Sequence, residues 1–221
     1  MTDLYITRHG ETQWNNEGRF QGRGNSELTA KGLSQAVGLG QVLDLEGIDL
    51  ILTSPLKRAR ETARLAKGER DIPLIILESL SEFDLGDWEG LKLSDLAKSE
   101  PANYFNYWND PFEYRPSGGE TYSELILRMD QAMKEIYELA DGKKALVITH
   151  GMALMAILHV ITGSDLKKII SKPVLRQTSI TKVRATKVHD DITYEVELIG
   201  DTSHLDEETL SKLMLTKPSE E

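Results

Sequence analysis

The sequence predicts an α/β fold, a three-layer sandwich with a mostly parallel central sheet and helices on both faces. Apolar strand patterns alternate with helical ones along the chain, as parallel crossover units require. The segments beginning at Leu4, Asp49 and Ala145 are apolar throughout, as central parallel strands covered on both faces should be. With 221 residues and 39% hydrophobic side chains, the chain can bury a sizeable core as one domain.

Residues 4–7 read as a short buried strand that stops at Arg8-His9-Gly10. Residues 11–28 are polar, with Gly18, Gly22 and Gly24, and read as a loop. Thr29 suits the N-cap of a helix over 30–44. Residues 49–53 form a second apolar strand, followed by Ser54-Pro55. Pro55 suits the first turn of a helix that runs to about Lys67. A third strand is expected over 74–77. Residues 80–120 read as irregular, being broken by Pro101, Pro111, Pro116 and Gly118-Gly119. That stretch also gathers Tyr104, Phe105, Tyr107, Trp108, Phe112 and Tyr114. A long amphipathic helix is expected over 121–140, a fourth strand over 145–149 and a helix over 152–162. Two late strands follow, near 179–186 and 193–199. The domain should thus span 1–200, with a charged and loosely held tail over 201–221.

The formal net charge of −10 argues against general binding to nucleic acid or anionic membrane. Any phosphate chemistry must therefore depend on a local positive island. There is no cysteine, so disulfides, thiolate nucleophiles and thiolate metal sites are excluded. Met1-Thr2-Asp3 runs straight into the first strand pattern, so no signal peptide is expected. No apolar run reaches the length of a membrane span. A cytoplasmic protein is the expectation, with a small phosphorylated metabolite as partner and neither nucleic acid nor membrane. The late strand edges leave room for a homodimer without requiring one.

In open α/β sheets, ligands sit at the carboxyl ends of the strands. Three such ends here carry reactive groups: Arg8-His9, then Ser54-Pro55-Leu56-Lys57-Arg58, then His150-Gly151. If those strands are neighbours, two imidazoles and two guanidiniums meet in one crevice. Two arginine forks match a tetrahedral phosphate. A neutral histidine beside them can attack phosphorus, provided its second ring nitrogen is held as a donor, typically by a carbonyl. The second histidine, near a helix N-terminus, can donate to a phosphoryl oxygen. Phosphoryl transfer needs mainly positioning and charge neutralisation, and this island offers both without a metal or cofactor. A leaving alkoxide also needs a proton, and a buried carboxyl at Glu82 or Asp84 could supply it. Chemistry alone does not choose between them.

The rival chemistries lack their signatures. Neighbouring arginines disfavour a divalent cation, and no H-E-x-x-H spacing occurs. No G-x-S-x-G elbow supports a serine triad.

Arg8-His9-Gly10-Glu11-Thr12, followed by Trp14-Asn15, resembles the R-H-G-[ET] signature of the histidine phosphatase superfamily, which includes cofactor-dependent phosphoglycerate mutases. Further matches follow in order: Gln21-Gly22, Leu28-Thr29 with Gly32, Ser54-Pro55 with Arg58 and Thr62-Ala63, Glu82 with Gly86 and Trp88-Glu89-Gly90, Gly118-Gly119-Glu120, and Thr149-His150-Gly151. The resemblance covers about residues 3–200 and implies a phosphoglycerate mutase-like fold. It implies His9 as the phosphorylated nucleophile. It implies Arg8, Arg58 and His150 as phosphoryl ligands, helped by Asn15, Gln21 and the Gly22 backbone. It makes Glu82, rather than Asp84, the proton donor, with no metal and no cofactor.

Typical mutases of this family carry an arginine directly after the acid, a tyrosine two residues later and an adjacent arginine pair further on. Here Phe83, Asp84 and Leu85 follow Glu82, and no arginine pair lies between Glu82 and His150. Met152 stands where mutases usually carry asparagine. The resemblance therefore implies a phosphomonoester hydrolase of broad specificity on small phosphorylated metabolites. The alternatives are a 2,3-bisphosphoglycerate-dependent phosphoglycerate mutase and a pathway phosphatase such as an α-ribazole phosphatase. Phe83, Leu85 and the aromatics over 104–114 suit an apolar or varied leaving group, the latter equally well as core or lid packing. His159, His189 and His204 lack such partners and read as structural or solvated, and Lys57, Arg60 and Arg64 as surface charges. Arg115 reads as a surface ion pair, and residues 117–120 as a loop with a helix cap.

Overall fold

The computed structural model describes residues 1–205. Among these residues six strands form one sheet: β1 (Thr2–Arg8), β2 (Leu50–Thr53), β3 (Leu74–Ile76), β4 (Lys144–Thr149), β5 (Ile180–Val188) and β6 (Asp191–Asp201). Their order is β3-β2-β4-β1-β5-β6. The first four are mutually parallel, and β5 and β6 run antiparallel at one edge.

The apolar strands alternate between two cores. Leu4, Ile6, Leu50, Leu52, Ala145 and Val147 face one side, whereas Tyr5, Ile51, Leu146 and Ile148 face the other. The first core is closed by α6 (Tyr122–Ala140), α7 (Gly151–Thr162) and α8 (Leu166–Ile170), and the second by α2 (Ala30–Glu46) and α3 (Lys57–Lys67). Burial on both faces is why these strands read as continuous apolar runs. Each fully buried aliphatic chain contributes about 1.5–3 kcal/mol.

Most expected elements are present; α8 was not expected, and three further stretches differ. Residues 11–28 include a one-turn helix, α1 (Gln13–Asn16), closed by a capping box between Thr12 and Asn15. Pro55 stands ahead of α3, whose N-cap is Leu56. The supposedly irregular stretch contains α4 (Leu93–Ser99) and α5 (Pro101–Asn109), with 3-10 turns at Glu78–Leu80 and Gly86–Trp88. Pro101 opens α5 at its first turn, where a missing N–H does no harm. The expected cap at Thr29 holds, its Oγ1 accepting from Gly32 N at 3.0 Å. The cap of α6 is Thr121, in a capping box with Glu124, just past the 117–120 stretch expected to carry it. Most of the expected tail, residues 206–221, lies outside the described residues. Of its first part, Asp201 ends β6 and Leu205 is buried. Among the described residues no helix is long and apolar enough to cross a membrane.

Candidate active site

Strand register assembles the site. Arg8 lies opposite Thr149 across β1 and β4, so the residues that follow, His9 and His150, emerge side by side. His9 N donates to Thr149 O at 3.0 Å. Thr53 lies opposite Ile148 across β2 and β4, which brings Ser54 alongside, and Ser54 N donates to Ile148 O at 3.0 Å. Three strand ends thus converge as the sequence suggested. The turn after β1 is tight: a Cβ on Gly10 would stand 2.6 Å from Gly32 O, so only glycine lets this loop lie against α2.

The His9 ring is buried, and its Nδ1 lies 2.7 Å from Gly10 O. A carbonyl only accepts, so Nδ1 carries the proton and Nε2 keeps its lone pair. That lone pair accepts from Arg58 Nε at 3.1 Å. Burial, then the Arg58 and Arg8 charges, hold the His9 pKa well below the usual histidine range. The ring is therefore neutral, as a nucleophile must be.

Arg58 is 2% exposed and is clasped by backbone. Its Nη1 donates to Gly24 O at 2.8 Å and its Nη2 to Gly22 O at 2.7 Å. Gly22 supplies that carbonyl from a left-handed conformation, with φ of +49°. Burial brings the Arg58 pKa down to about 10, opposed by Glu82 and assisted by Arg8. It stays a cation at neutral pH. Arg8 donates from Nη1 to Leu175 O at 3.2 Å, and its buried Nε has no hydrogen-bond partner among the described residues.

His150 caps α7 and is fully buried. Its ring centroid lies 5.2 Å from that of His9, and its Nε2 lies 2.7 Å from Ser54 Oγ. Its Nδ1 is buried without a hydrogen-bond partner among the described residues. Burial first, then Arg58, His9 and Arg8, lower its pKa well below the ordinary value. His9 borders the cavity but His150 does not, so the rings pack side by side rather than facing each other across open space.

Glu82 is only partly buried, unlike the buried acid expected. Backbone amides hold its carboxyl: Oε1 accepts from Phe83 N at 2.9 Å and Ala153 N at 3.0 Å, and Oε2 from Met152 N at 3.2 Å. It therefore sits at the N-terminus of α7, beside His150. Asp84 instead pairs with Arg23 at 3.3 Å and does not line the cavity.

The cavity has a volume of about 920 Å³ and runs outward from His9, Arg8, Arg58 and Glu82. Asn15 and Gln21 line it, and both are tied to Thr12. Its walls include Phe20, Phe83, Leu85, Tyr107, Trp108 and Met152. The Tyr107 and Trp108 rings meet edge to face at 4.7 Å. Tyr114 is buried behind them, whereas Phe105 and Phe112 face outward, so the aromatic segment divides between wall, core and surface.

The residues read as bland are bland. His159 bonds Ser164 O at 2.6 Å, His189 is exposed, and Arg60 and Arg64 face solvent. Lys57 pairs with Glu27, and Arg115 with Glu113 at 3.3 Å. Three features went unread in the sequence. Ser54 appeared only as part of a motif, yet it fixes the His150 ring. The segment over 173–177 closes over Arg8 and lines the cavity. Arg128, on α6, supports the backbone of Glu82. For Ser54 the signal was available in its place at the end of a strand neighbouring β4. For the other two there was none.

The profile of the histidine phosphatase superfamily, branch 1, matches residues 4–195. A protein of Salmonella paratyphi B named probable phosphoglycerate mutase GpmB is 34% identical over 215 residues, 96% of this chain and 99% of that one. The solved structure of Bacillus stearothermophilus YhfR is 36% identical, with a TM-score of 0.86 over 92% of this chain and 99% of that one. A putative alpha-ribazole-5'-P phosphatase from Escherichia coli is 29% identical, with a TM-score of 0.77 over 88% of this chain and 95% of that one.

Proposed function

The chain belongs to the histidine phosphatase superfamily, and on that footing we propose that it hydrolyses phosphomonoesters of small metabolites through a phosphohistidine at His9. The observation that carries this reading is the state of the His9 ring. Its proton is committed to Gly10 O, and its Nε2 lone pair is aimed at the Arg58 guanidinium in a cationic pocket.

A phosphoryl oxygen reaching Arg58 takes the Nε–H donor and frees the His9 lone pair. Nε2 then forms a bond to phosphorus while the bond to the leaving oxygen breaks. Arg8 and Arg58, assisted by Asn15, Gln21 and the Gly22 backbone, hold the phosphoryl oxygens, and His150, set back from the cavity beside His9, donates from its Nδ1, unpartnered among the described residues, to the oxygen that reaches in between the two rings. Glu82 gives its proton to the leaving oxygen. Water then attacks phosphorus, the P–N bond breaks, Glu82 recovers a proton from the water, and phosphate leaves. No step in this reading calls for a metal, so turnover should persist in excess EDTA.

The name of the GpmB relative favours a second reading, phosphoglycerate mutation. It requires groups that hold a carboxylate while the phosphoryl group returns. At the positions after Glu82 the cavity wall offers Phe83 and Leu85 instead. These apolar walls favour release of the leaving group and loss of the phosphoryl group to water. They also suit leaving groups of varied shape. With 3-phosphoglycerate as substrate, the hydrolase reading expects free phosphate, with little 2-phosphoglycerate even when 2,3-bisphosphoglycerate is added. Bisphosphoglycerate-stimulated interconversion outpacing phosphate release would replace it with the mutase.

The donor assignment is tested by Glu82→Gln. It should lower kcat/KM for alkyl phosphates by ~10²-fold or more, and that for p-nitrophenyl phosphate far less, because a nitrophenolate leaves without a proton and kcat/KM reports only the steps up to phosphohistidine formation. Equal losses on both esters would remove Glu82 from that role.

A further inference from the structure

We propose that Arg128 and Glu120 are positioning residues that hold Glu82 against the leaving group, an inference that rests on the reading of Glu82 as proton donor. Neither touches the cavity. Both are largely enclosed, each side chain being 17% exposed.

Glu82 lies between two 3-10 turns, Glu78–Leu80 and Gly86–Trp88, in a stretch with no helix or strand to hold it. The carbonyls of such a stretch need partners from elsewhere. Arg128 provides them. Its Nη1 donates to Ser79 O at 2.8 Å and to Ser81 O at 2.7 Å, and its Nη2 to Glu82 O at 3.2 Å. The same guanidinium grips Glu120 with both edges of its fork, Nε to Oε1 and Nη2 to Oε2, each at 2.7 Å. Glu120 clamps the far side of the acid: its Oε2 accepts from Asp84 N at 3.1 Å, and its own N donates to Asp84 O at 2.9 Å. One arginine–carboxylate unit thus fixes the backbone on either side of Glu82.

Burial works to raise the Glu120 pKa, but the Arg128 bonds and the Asp84 amide bring it below the usual range, so it remains the anion that Arg128 needs. Arg23 extends the unit, reaching Asp84 at 3.3 Å and Glu120 at 3.2 Å. Arg23 stands between Gly22 and Gly24, whose carbonyls hold Arg58. The phosphate pocket and the acid segment therefore share one ionic brace. The backbone of Glu82 is held from α6 and its carboxyl from α7, so the carboxyl stays aimed only while both grips hold. A lysine at 128 supplies charge but not the planar fork that serves three carbonyls and a carboxylate together.

The test compares kcat/KM for p-nitrophenyl phosphate and a simple alkyl phosphate in Arg128→Lys, Glu120→Gln, Glu82→Gln and the Glu82→Gln/Arg128→Lys pair, in the full chain. We expect Arg128→Lys and Glu120→Gln each to lower alkyl ester turnover ~10–100-fold and the aryl ester less than about threefold. In the Glu82→Gln background, Arg128→Lys should cost less than about a further threefold on the alkyl ester, because the group it aims is gone. Should Arg128→Lys fail to fold, the isosteric Glu120→Gln carries the same comparison. Equal loss on both esters, no loss on either, or full additivity with Glu82→Gln would overturn the positioning role while leaving Glu82 as donor. A Glu82→Gln enzyme with no alkyl-specific loss would remove the donor assignment and the inference with it.

Discussion

The rings of His9 and His150 lie with centroids 5.2 Å apart and planes tilted by 56°, although 141 positions separate them in the chain. Register between β1 and β4 sets the pair, and burial keeps both rings neutral. Of the two rings it is His9 that borders the cavity, and on the proposed reading His9 is the nucleophile. His9→Ala should therefore abolish turnover, by roughly a thousandfold or more, while inorganic phosphate still binds. His159→Ala, which removes a ring bonded to Ser164 O near the end of α7, should leave turnover within about twofold. Steady-state assays on both variants check this, and a His9→Ala enzyme with ordinary activity would refute the assignment.

Arg58 uses its three nitrogens on three different partners: the His9 ring and the carbonyls of Gly22 and Gly24. A lysine cannot reproduce that fork. Arg58→Lys should lower kcat/KM by ~10²–10³-fold and weaken inhibition by phosphate, because the donor that meets the phosphoryl oxygen is misplaced. A change of less than about fivefold would show that the guanidinium geometry is dispensable.

Ser54 is the side chain that meets a ring nitrogen of His150. Its Oγ accepts from Leu56 N at 3.3 Å and is free to give its own hydrogen to His150 Nε2, 2.7 Å away. On the proposed reading of His150 as a phosphoryl ligand, the hydroxyl donates to Nε2 and the neutral ring holds its proton on Nδ1. Ser54→Ala removes that instruction. It should reduce kcat about tenfold with a smaller change in KM, and nitrogen-15 NMR should show the proton of His150 shared between Nδ1 and Nε2. A single unshifted Nδ1–H tautomer in the variant would contradict this role.

The two neutral rings also predict how stability follows pH. Their pKa values in the folded protein lie well below the unfolded value of about 6.5. As pH falls below about 6.5, the unfolded chain takes up protons that the folded chain refuses. Their contribution is therefore complete above that pH and is lost on acidification, by up to about 1.4 kcal/mol per pH unit for each ring. Denaturant titrations between pH 7 and pH 5 should show this slope, and His150→Gln should reduce it. The carboxylates with depressed pKa values, such as Glu120, titrate below this window. An unchanged slope in His150→Gln would mean that the ring is already protonated in the native state.

The sheet and the chemistry-bearing strand ends were legible in the sequence because buried parallel strands are apolar without interruption. Their ends at His9, Ser54 and His150 stand out against that pattern. The stretch over 80–120 was not legible. The helices α4 and α5 are short and mix charged, polar and aromatic residues, and Pro101 reads as a breaker although it starts a helix. Nor could the sequence place Arg128 against the carbonyls of Ser79, Ser81 and Glu82, more than 45 positions earlier. Such contacts depend on how α6 packs beside the acid segment, which no local pattern records. Local chemistry pointed to Glu82 and Asp84 alike and only the family resemblance separated them, while the amides of Met152 and Ala153 that hold Glu82 are evident only in three dimensions.

The central claim, that phosphorus passes through a covalent bond to His9 Nε2, is tested most directly by trapping that bond. The enzyme is mixed with phosphorus-32-labelled aryl phosphate, quenched in denaturant at alkaline pH, digested and mapped. The account predicts one acid-labile, alkali-stable label on the peptide that contains His9, absent from His9→Ala and accumulating in Glu82→Gln, where water attack lacks its base. No label on a fully active enzyme, or a label on any other residue, would contradict it.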